Sequence, residues 1–230
     1  MVSGRGVVVA MDGPSGSGKS STARGVATRL GLRYLDTGAM YRAMTWWMLE
    51  NGIDTDDAEA VAAHADEPVL VSGNDPQAPT ITVGETDVAG PIRGPAVTAK
   101  VSAVSAVPEI RARLLREQRD AIGDGDIVVE GRDIGTTVVP DADVKVFLSA
   151  DASARATRRA AEHSDADVRA TEQDLKRRDT LDSGRAASPL TMADDAHHID
   201  TTPYTLDEVV EQVVTLVREA MARTTSDNRS

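Results

Sequence analysis

The chain of 230 residues contains no cysteine. That excludes disulfides, zinc–thiolate sites and cysteine nucleophiles, and it suits a reducing compartment. Aromatic residues make up 3% of the chain, too few to build the stacking platforms that unpaired bases require. Positive charge is also in deficit. With 25 Lys and Arg against 37 Asp and Glu, the formal charge is −12, which argues against polyanion binding over the general surface. No apolar run approaches the roughly 20 residues of a membrane span, and a basic, apolar leader is missing at the start. The expectation is a globular, cytoplasmic protein with neither a nucleic acid nor a membrane as partner. The four histidines lack metal-ligand spacing, since His197 and His198 are adjacent in a strand pattern and point to opposite faces. No protein-held transition metal is expected.

What is present begins with the run Gly13, Pro14, Ser15, Gly16, Ser17, Gly18, Lys19, Ser20, directly after the apolar stretch 7–11. This has the form of a Walker A phosphate loop, and its setting is the required one, a buried-strand pattern before it and a helical pattern after it. Ala23, Val26, Ala27 and Leu30 recur at helical spacing, and Gly31 is the stop signal. In such a loop the glycines let backbone N–H groups close around phosphate oxygens, and the helix N-terminus adds positive potential. Lys19 reaches the terminal phosphates, Ser20 offers its hydroxyl to Mg²⁺, and Ser21 is a further candidate for binding the nucleotide. Mg²⁺ is then expected to arrive with ATP rather than in a protein cage.

Apolar or β-rich runs at 7–11, 33–35, 127–129, 144–148 and 197–199 alternate with helical patterns at 20–30, 39–50, 58–65, 109–122, 153–162, 172–178 and 206–222. That alternation predicts an α/β fold with a parallel sheet. One region breaks the rhythm. Between 67 and 93, the runs 69–71, 80–83 and 86–88 surround a turn-rich stretch at 72–79, which predicts a small antiparallel insert. It is either the carrier of an acceptor pocket or a decorative excursion. Residues 224–230 are polar and read as a disordered tail.

Four further constellations could carry chemistry. Asp36, Thr37, Tyr41 and Arg42 lie where a strand end becomes a helix start, and Asp36 or Thr37 can cap that helix as well as face a ligand. The segment Glu130, Gly131, Arg132, Asp133, Ile134, Gly135, Thr136 runs from a buried strand into a glycine turn. Arg111 falls within the apolar face formed by Ile110, Leu114, Leu115 and Ile122, so it either snorkels outward or enters a polar pocket. Finally, Arg155, Arg158 and Arg159 share one helical face, and so do Arg178, Asp182 and Arg185. The bland alternative for these last two sets is a solvated, salt-bridged surface. Beside a phosphate loop they fit phosphoryl transfer, which depends on positioning and on charge neutralisation. No Asn-Lys-x-Asp guanine motif is present, which disfavours a switch GTPase.

Taken in order, Gly-Pro-Ser-Gly-Ser-Gly-Lys-Ser, Asp36-Thr-Gly-Ala-Met-Tyr-Arg42, Gly131-Arg-Asp-Ile-Gly-Thr136 and Arg178-Asp-x-x-Asp182-x-x-Arg185 before Pro189-Leu190 resemble bacterial cytidylate kinases, from residue 7 to about 222. The resemblance implies a single P-loop kinase domain over 1–230, in a three-layer α/β fold with a five-stranded parallel sheet. It adds a nucleoside-monophosphate-binding insert region at 37–113 and a helical lid at 153–185. It implies transfer of the γ-phosphoryl group of Mg·ATP to CMP or dCMP; a monomer is expected because nothing in the sequence resembles a large apolar interface patch. Lys19, Arg132, Arg155, Arg159 and Arg185 would then be catalytic, and Arg158 would join the phosphate loop on the donor side. Thr37, Tyr41, Arg42, Arg132 and Arg185 would surround the acceptor phosphate and sugar, and Asp36 would order Mg²⁺-bound water. Ser102, Arg111 and Asp133 would read cytosine, whose exocyclic amine suits a carboxylate and whose carbonyl and N3 suit donors. Arg178 and Asp182 would approach the ribose. Another small P-loop kinase and an ATP-binding regulatory module are the alternatives.

Overall fold

The computed structural model describes residues 5–161, 168–185 and 188–227. The lid segment expected at 162–167 and the tail residues 228–230 lie outside the described residues. The chain forms two compact units, Met1–Tyr34 with Asp124–Ser230, and Leu35–Gly123.

The first unit is organised by a five-stranded parallel sheet in the order β2-β6-β1-β7-β8. Its strands are β1 (Val8–Asp12), β2 (Arg33–Asp36), β6 (Ile127–Glu130), β7 (Val144–Ser149) and β8 (His197–Asp200), each within a residue or two of its sequence expectation. β1 is central, pairing Ala10 with Val129 on one side and with Lys145 on the other. All five of its residues are buried, as a continuous apolar run in a covered parallel sheet should be. Helices α1 (Lys19–Leu30) and α8 (Leu206–Asp227) pack together over the sheet. Ala23, Val26 and Ala27 from α1 meet Val210, Val213, Val214 and Val217 from α8, above Val9, Met11, Val128 and Val146. Each fully buried aliphatic side chain of valine size or larger stabilises this layer by roughly 1.5–3 kcal/mol. Gly25 lets the helices approach, because a Cβ there would lie 2.7 Å from Val210 Cγ2. α8 extends to Asp227, into the first four residues of the polar tail. The unit also holds α6 (Ala152–Ala160) and α7 (Val168–Ser183). α7 is longer than its 172–178 pattern, since exposed polar positions carry no apolar period.

The second unit contains α2 (Thr37–Glu50), α3 (Ala58–Ala63), a three-stranded antiparallel sheet, α4 (Pro95–Val104) and α5 (Pro108–Ile122). The sheet order is β3-β4-β5, from Leu70–Ser72, Ile81–Val83 and Thr86–Asp87, as the period-2 pattern predicts. α4 was not expected. Its start is encoded by Gly94 and by Pro95 at the first helical position, and it buries Val97, Val101 and Val104. Frequent valine and small residues make that stretch resemble a strand or loop. Arg113 on α5 is buried and donates to the carbonyls of Ala65 and Pro68, which pins the chain between α3 and β3.

Candidate active site

β1 delivers Gly13 to the C-terminal end of the sheet, where open α/β folds place ligands. Gly13 has φ 146°, and a Cβ on it would come 2.1 Å from the Leu148 carbonyl oxygen, so only glycine fits. Gly16 and Gly18 also have positive φ, at 79° and 89°. Gly18 caps α1 without a side-chain hydrogen bond, which leaves the first-turn amides available to an anion. Lys19 is buried, and its Nζ donates to the Pro14 carbonyl at 2.8 Å across the loop. Ser15 and Ser17 are buried, whereas Ser20 and Ser21 are exposed at the start of α1. The Ser17 hydroxyl is fully buried without a protein partner. These observations fit a nucleotide phosphate chain. Among the described residues no cluster of three His, Cys, Asp or Glu could hold a metal by itself.

Two arginines of α6 reach this loop, one directly and one through a threonine, and two further arginines of the first unit share one carboxylate. α6 abuts it, since a Cβ on Gly16 would lie 3.0 Å from Arg155 Cβ. Arg155 donates to the Ser15 carbonyl at 3.0 Å and pairs with Asp179 at 2.7 Å. Arg158 grips Thr201, its two terminal nitrogens each 2.8 Å from the hydroxyl and carbonyl oxygens. The Thr201 hydroxyl in turn donates to the carbonyls of Ser17 and Ser149, both at 3.1 Å. Arg158 thus acts on the loop through Thr201, a residue that nothing in the sequence pattern marked beyond its place after β8. Arg159 is half-buried on the same helix. Arg132 Nε donates to Asp182 at 3.0 Å, and Arg185 donates to the other oxygen of the same carboxylate. Burial pushes the Asp182 carboxyl up, but Arg132 and Arg185 outweigh it and hold it below the usual carboxylate range. Arg178, on the same helix, is buried. Asp133 is buried and opens a π-helical turn, Ile134–Val138, of the kind common at functional sites.

In the second unit Asp36 caps α2, with Oδ1 accepting the Ala39 N–H at 2.9 Å, so the capping role exists. Thr37 is buried beside it, while Tyr41 and Arg42 are half-buried. Arg111 enters a polar pocket rather than snorkelling. Its guanidinium lies 5.5 Å above the Tyr41 ring, and it donates to the Ser105 carbonyl at 3.3 Å. The Ser105 hydroxyl donates to the Ser102 carbonyl at 3.1 Å, which joins α4 to the same cluster. Ser102, Arg111 and Tyr41 therefore gather within this unit, and Asp133 belongs to the other.

A protein-family profile described as Cytidylate kinase matches residues 9–219 of this ordered set. The chain belongs to the cytidylate kinase family. It is 60% identical to a cytidylate kinase of Streptomyces avermitilis, with 94% of each chain covered. A cytidylate kinase of Streptomyces coelicolor is 62% identical over 94% of both chains, and one of Nocardia farcinica is 52% identical over 94% of this chain and 95% of its own. Among solved structures, an uncharacterized protein from Eubacterium ventriosum shares the fold, with a TM-score of 0.51, 11% identity, and coverage of 92% of this chain and 98% of its own. This family member is therefore an enzyme of the nucleoside monophosphate kinase class.

Proposed function

We propose that the protein transfers the γ-phosphoryl group of ATP to CMP or dCMP, giving CDP or dCDP for pyrimidine nucleotide metabolism. The observation that carries this reading is the match of residues 9–219 to the cytidylate kinase family, with 60% identity to a curated member. The glycine-dependent phosphate loop and Arg155 bonded to it support the reading. An oxygen of the acceptor phosphate attacks the γ-phosphorus, and the bond to the β–γ bridging oxygen breaks, leaving ADP. Lys19 and the backbone N–H groups of the loop Gly13–Ser20, Pro14 excepted, hold the donor phosphates, with Ser21 and Arg158 on the donor side. Mg²⁺, when bound, neutralises charge between the β- and γ-phosphates; Ser20 would hold it and Asp36 would order its water.

Arg132, Arg155, Arg159 and Arg185 cover the transferring group, where their fixed charges stabilise the transition state without reorganisation. Thr37, Tyr41 and Arg42 receive the acceptor phosphate and sugar with Arg132 and Arg185, and Arg178 and Asp182 take the ribose. Ser102, Arg111 and Asp133 read the base. A uracil acceptor lacks the amino donor that the Asp133 carboxylate accepts. The region 37–113 serves the acceptor, 153–185 serves as the lid, and the protein works as a cytoplasmic monomer.

The test is acceptor-dependent ADP release from Mg·ATP with CMP, dCMP, UMP, AMP, GMP and shikimate offered separately. Preference for CMP and dCMP is expected. Turnover of another acceptor alone would keep a P-loop kinase and discard the cytosine site, while ATP binding without turnover would favour a regulatory module.

A further inference from the structure

Asp12 ends β1 directly before the phosphate loop, is 6% exposed, and has no part in the chemistry set out above. Both of its oxygens are directed at one target. Oδ1 accepts the Ile134 N–H at 2.9 Å and Oδ2 accepts the Gly135 N–H at 2.8 Å. These amides open the π-helical turn that follows Arg132 and Asp133 without a break. The turn is closed from the other side by the amides of Thr137 and Val138 on the Asp133 carbonyl, at 2.8 and 3.2 Å. A Cβ on Gly135 would lie 3.2 Å from Lys145 Cδ and 3.5 Å from Asp12 Oδ2, so the main chain lies close against the carboxylate.

Holding a carboxylate here is costly. Burial opposes its ionisation more than the Gly135 and Ile134 amides favour it, and the pKa is pushed up to about 6. A neutral residue would avoid burying charge but would leave at least one of the two amides without an acceptor.

We propose that Asp12 is a positioning residue for phosphoryl transfer: by gripping the Ile134 and Gly135 amides, it sets Arg132 against the acceptor phosphate and Asp133 against the acceptor base. The inference rests on the acceptor-side roles proposed above for those two residues. It also links the root of the donor loop to the acceptor machinery, so that one strand end orders both.

Asp12→Asn keeps the size and one accepting oxygen but turns an NH₂ group toward one of the two amides. The experiment is steady-state kinetics of wild type and Asp12→Asn with CMP and with UMP, beside the equilibrium Kd of each protein for ATP. Losing one buried, charge-assisted hydrogen bond predicts a fall of about 10- to 100-fold in kcat/KM for CMP. The preference for CMP over UMP narrows, and the ATP Kd stays within about twofold. A loss confined to ATP affinity would overturn the inference. So would a uniform fall in kcat with the CMP KM and the CMP-over-UMP preference unchanged, as a merely structural role predicts.

If the variant does not fold, the wild type carries the test through the CMP-over-UMP preference measured from about pH 7.5 to about 5.5. The acceptor phosphate titrates alike in both substrates and cancels from the ratio. The charged groups on the surrounding elements are Lys19, Asp133, Glu130 on β6 and Lys145 on β7; Glu130 is bonded to the Tyr34 hydroxyl and Lys145 to Asp195. A preference that narrows with a midpoint near 6 is expected, and a constant ratio would overturn the inference. Should wild type show no preference for cytosine, the proposed function fails first. The Asp12 inference is then read from the KM of whichever acceptor is used.

Discussion

Arg132, Arg185 and Arg155 of the first unit and Arg111 of the second are held in different ways. In the first, carboxylates hold them: Asp182 takes Arg132 and Arg185, and Asp179 takes Arg155. In the second, Arg111 rests on the face of Tyr41 and on a backbone carbonyl. A carboxylate partner fixes a guanidinium and offsets its charge, so an incoming phosphate exchanges one anion for another at a site already formed. The aromatic face and the carbonyl fix the plane of the Arg111 guanidinium, which suits donation to a planar base edge. A chain with a net charge of −12 can thus keep a local phosphate site by placing its acids as internal counter-ions.

The contrast can be broken first at the transferring group. Arg132→Ala or Arg185→Ala should lower kcat by about 10³- to 10⁵-fold, or roughly 4–7 kcal/mol, the range of transition-state arginines. Near-normal turnover would remove that arginine from the chemistry. Next in size is the counter-ion itself. Asp182→Ala leaves two largely buried guanidiniums against each other, and urea unfolding should show a loss of about 3–5 kcal/mol. Arg111→Lys, by contrast, should cost at most about 2 kcal/mol of stability while raising the KM for CMP. Equal stability losses in the two variants would erase the distinction.

The comparison can also be sharpened within the first unit by pH, where two buried carboxylates act with opposite sign. The Asp182 pKa is lowered on folding, so its stabilisation is present above the ordinary value of 3.8 and is lost as pH falls through the lower folded value. The Asp12 pKa is raised from 3.8 to about 6, so its ionised form weighs on the folded state at neutral pH. That burden is relieved as pH falls from above 6 toward 3.8, by up to about 3 kcal/mol. Wild type should therefore gain stability relative to Asp12→Asn between about pH 7 and 4, read as a converging or crossing Tm. A constant Tm difference would refute the burden assigned to Asp12.

Much of the fold was legible because its signals are local. An apolar run, a glycine loop and a helical period lie within residues 7–31, and the strand ends at 36 and 130 announce themselves by charge after apolar residues. Helix α4 was not legible, because valines at 97, 101 and 104 fit a strand or a helix equally well until packing selects. Ser102 came from the family resemblance alone, and the sequence pattern did not show the helix that carries it. Arg158 was legible as one of an arginine row, yet its engagement with Thr201 depends on β8 lying beside β7.

By itself the sequence determined the family, the phosphate loop, the order of the elements and the residue types available to the chemistry, since each is written in contiguous residues or short spacings. Only the tertiary structure decided which carboxylate partners which arginine, that Arg111 lies over Tyr41, and that Asp12 grips amides 122 and 123 positions away. The reason is physical. Hydrogen bonds and ion pairs act over a few ångströms, and the sheet order, not the chain order, brings such distant residues within that range.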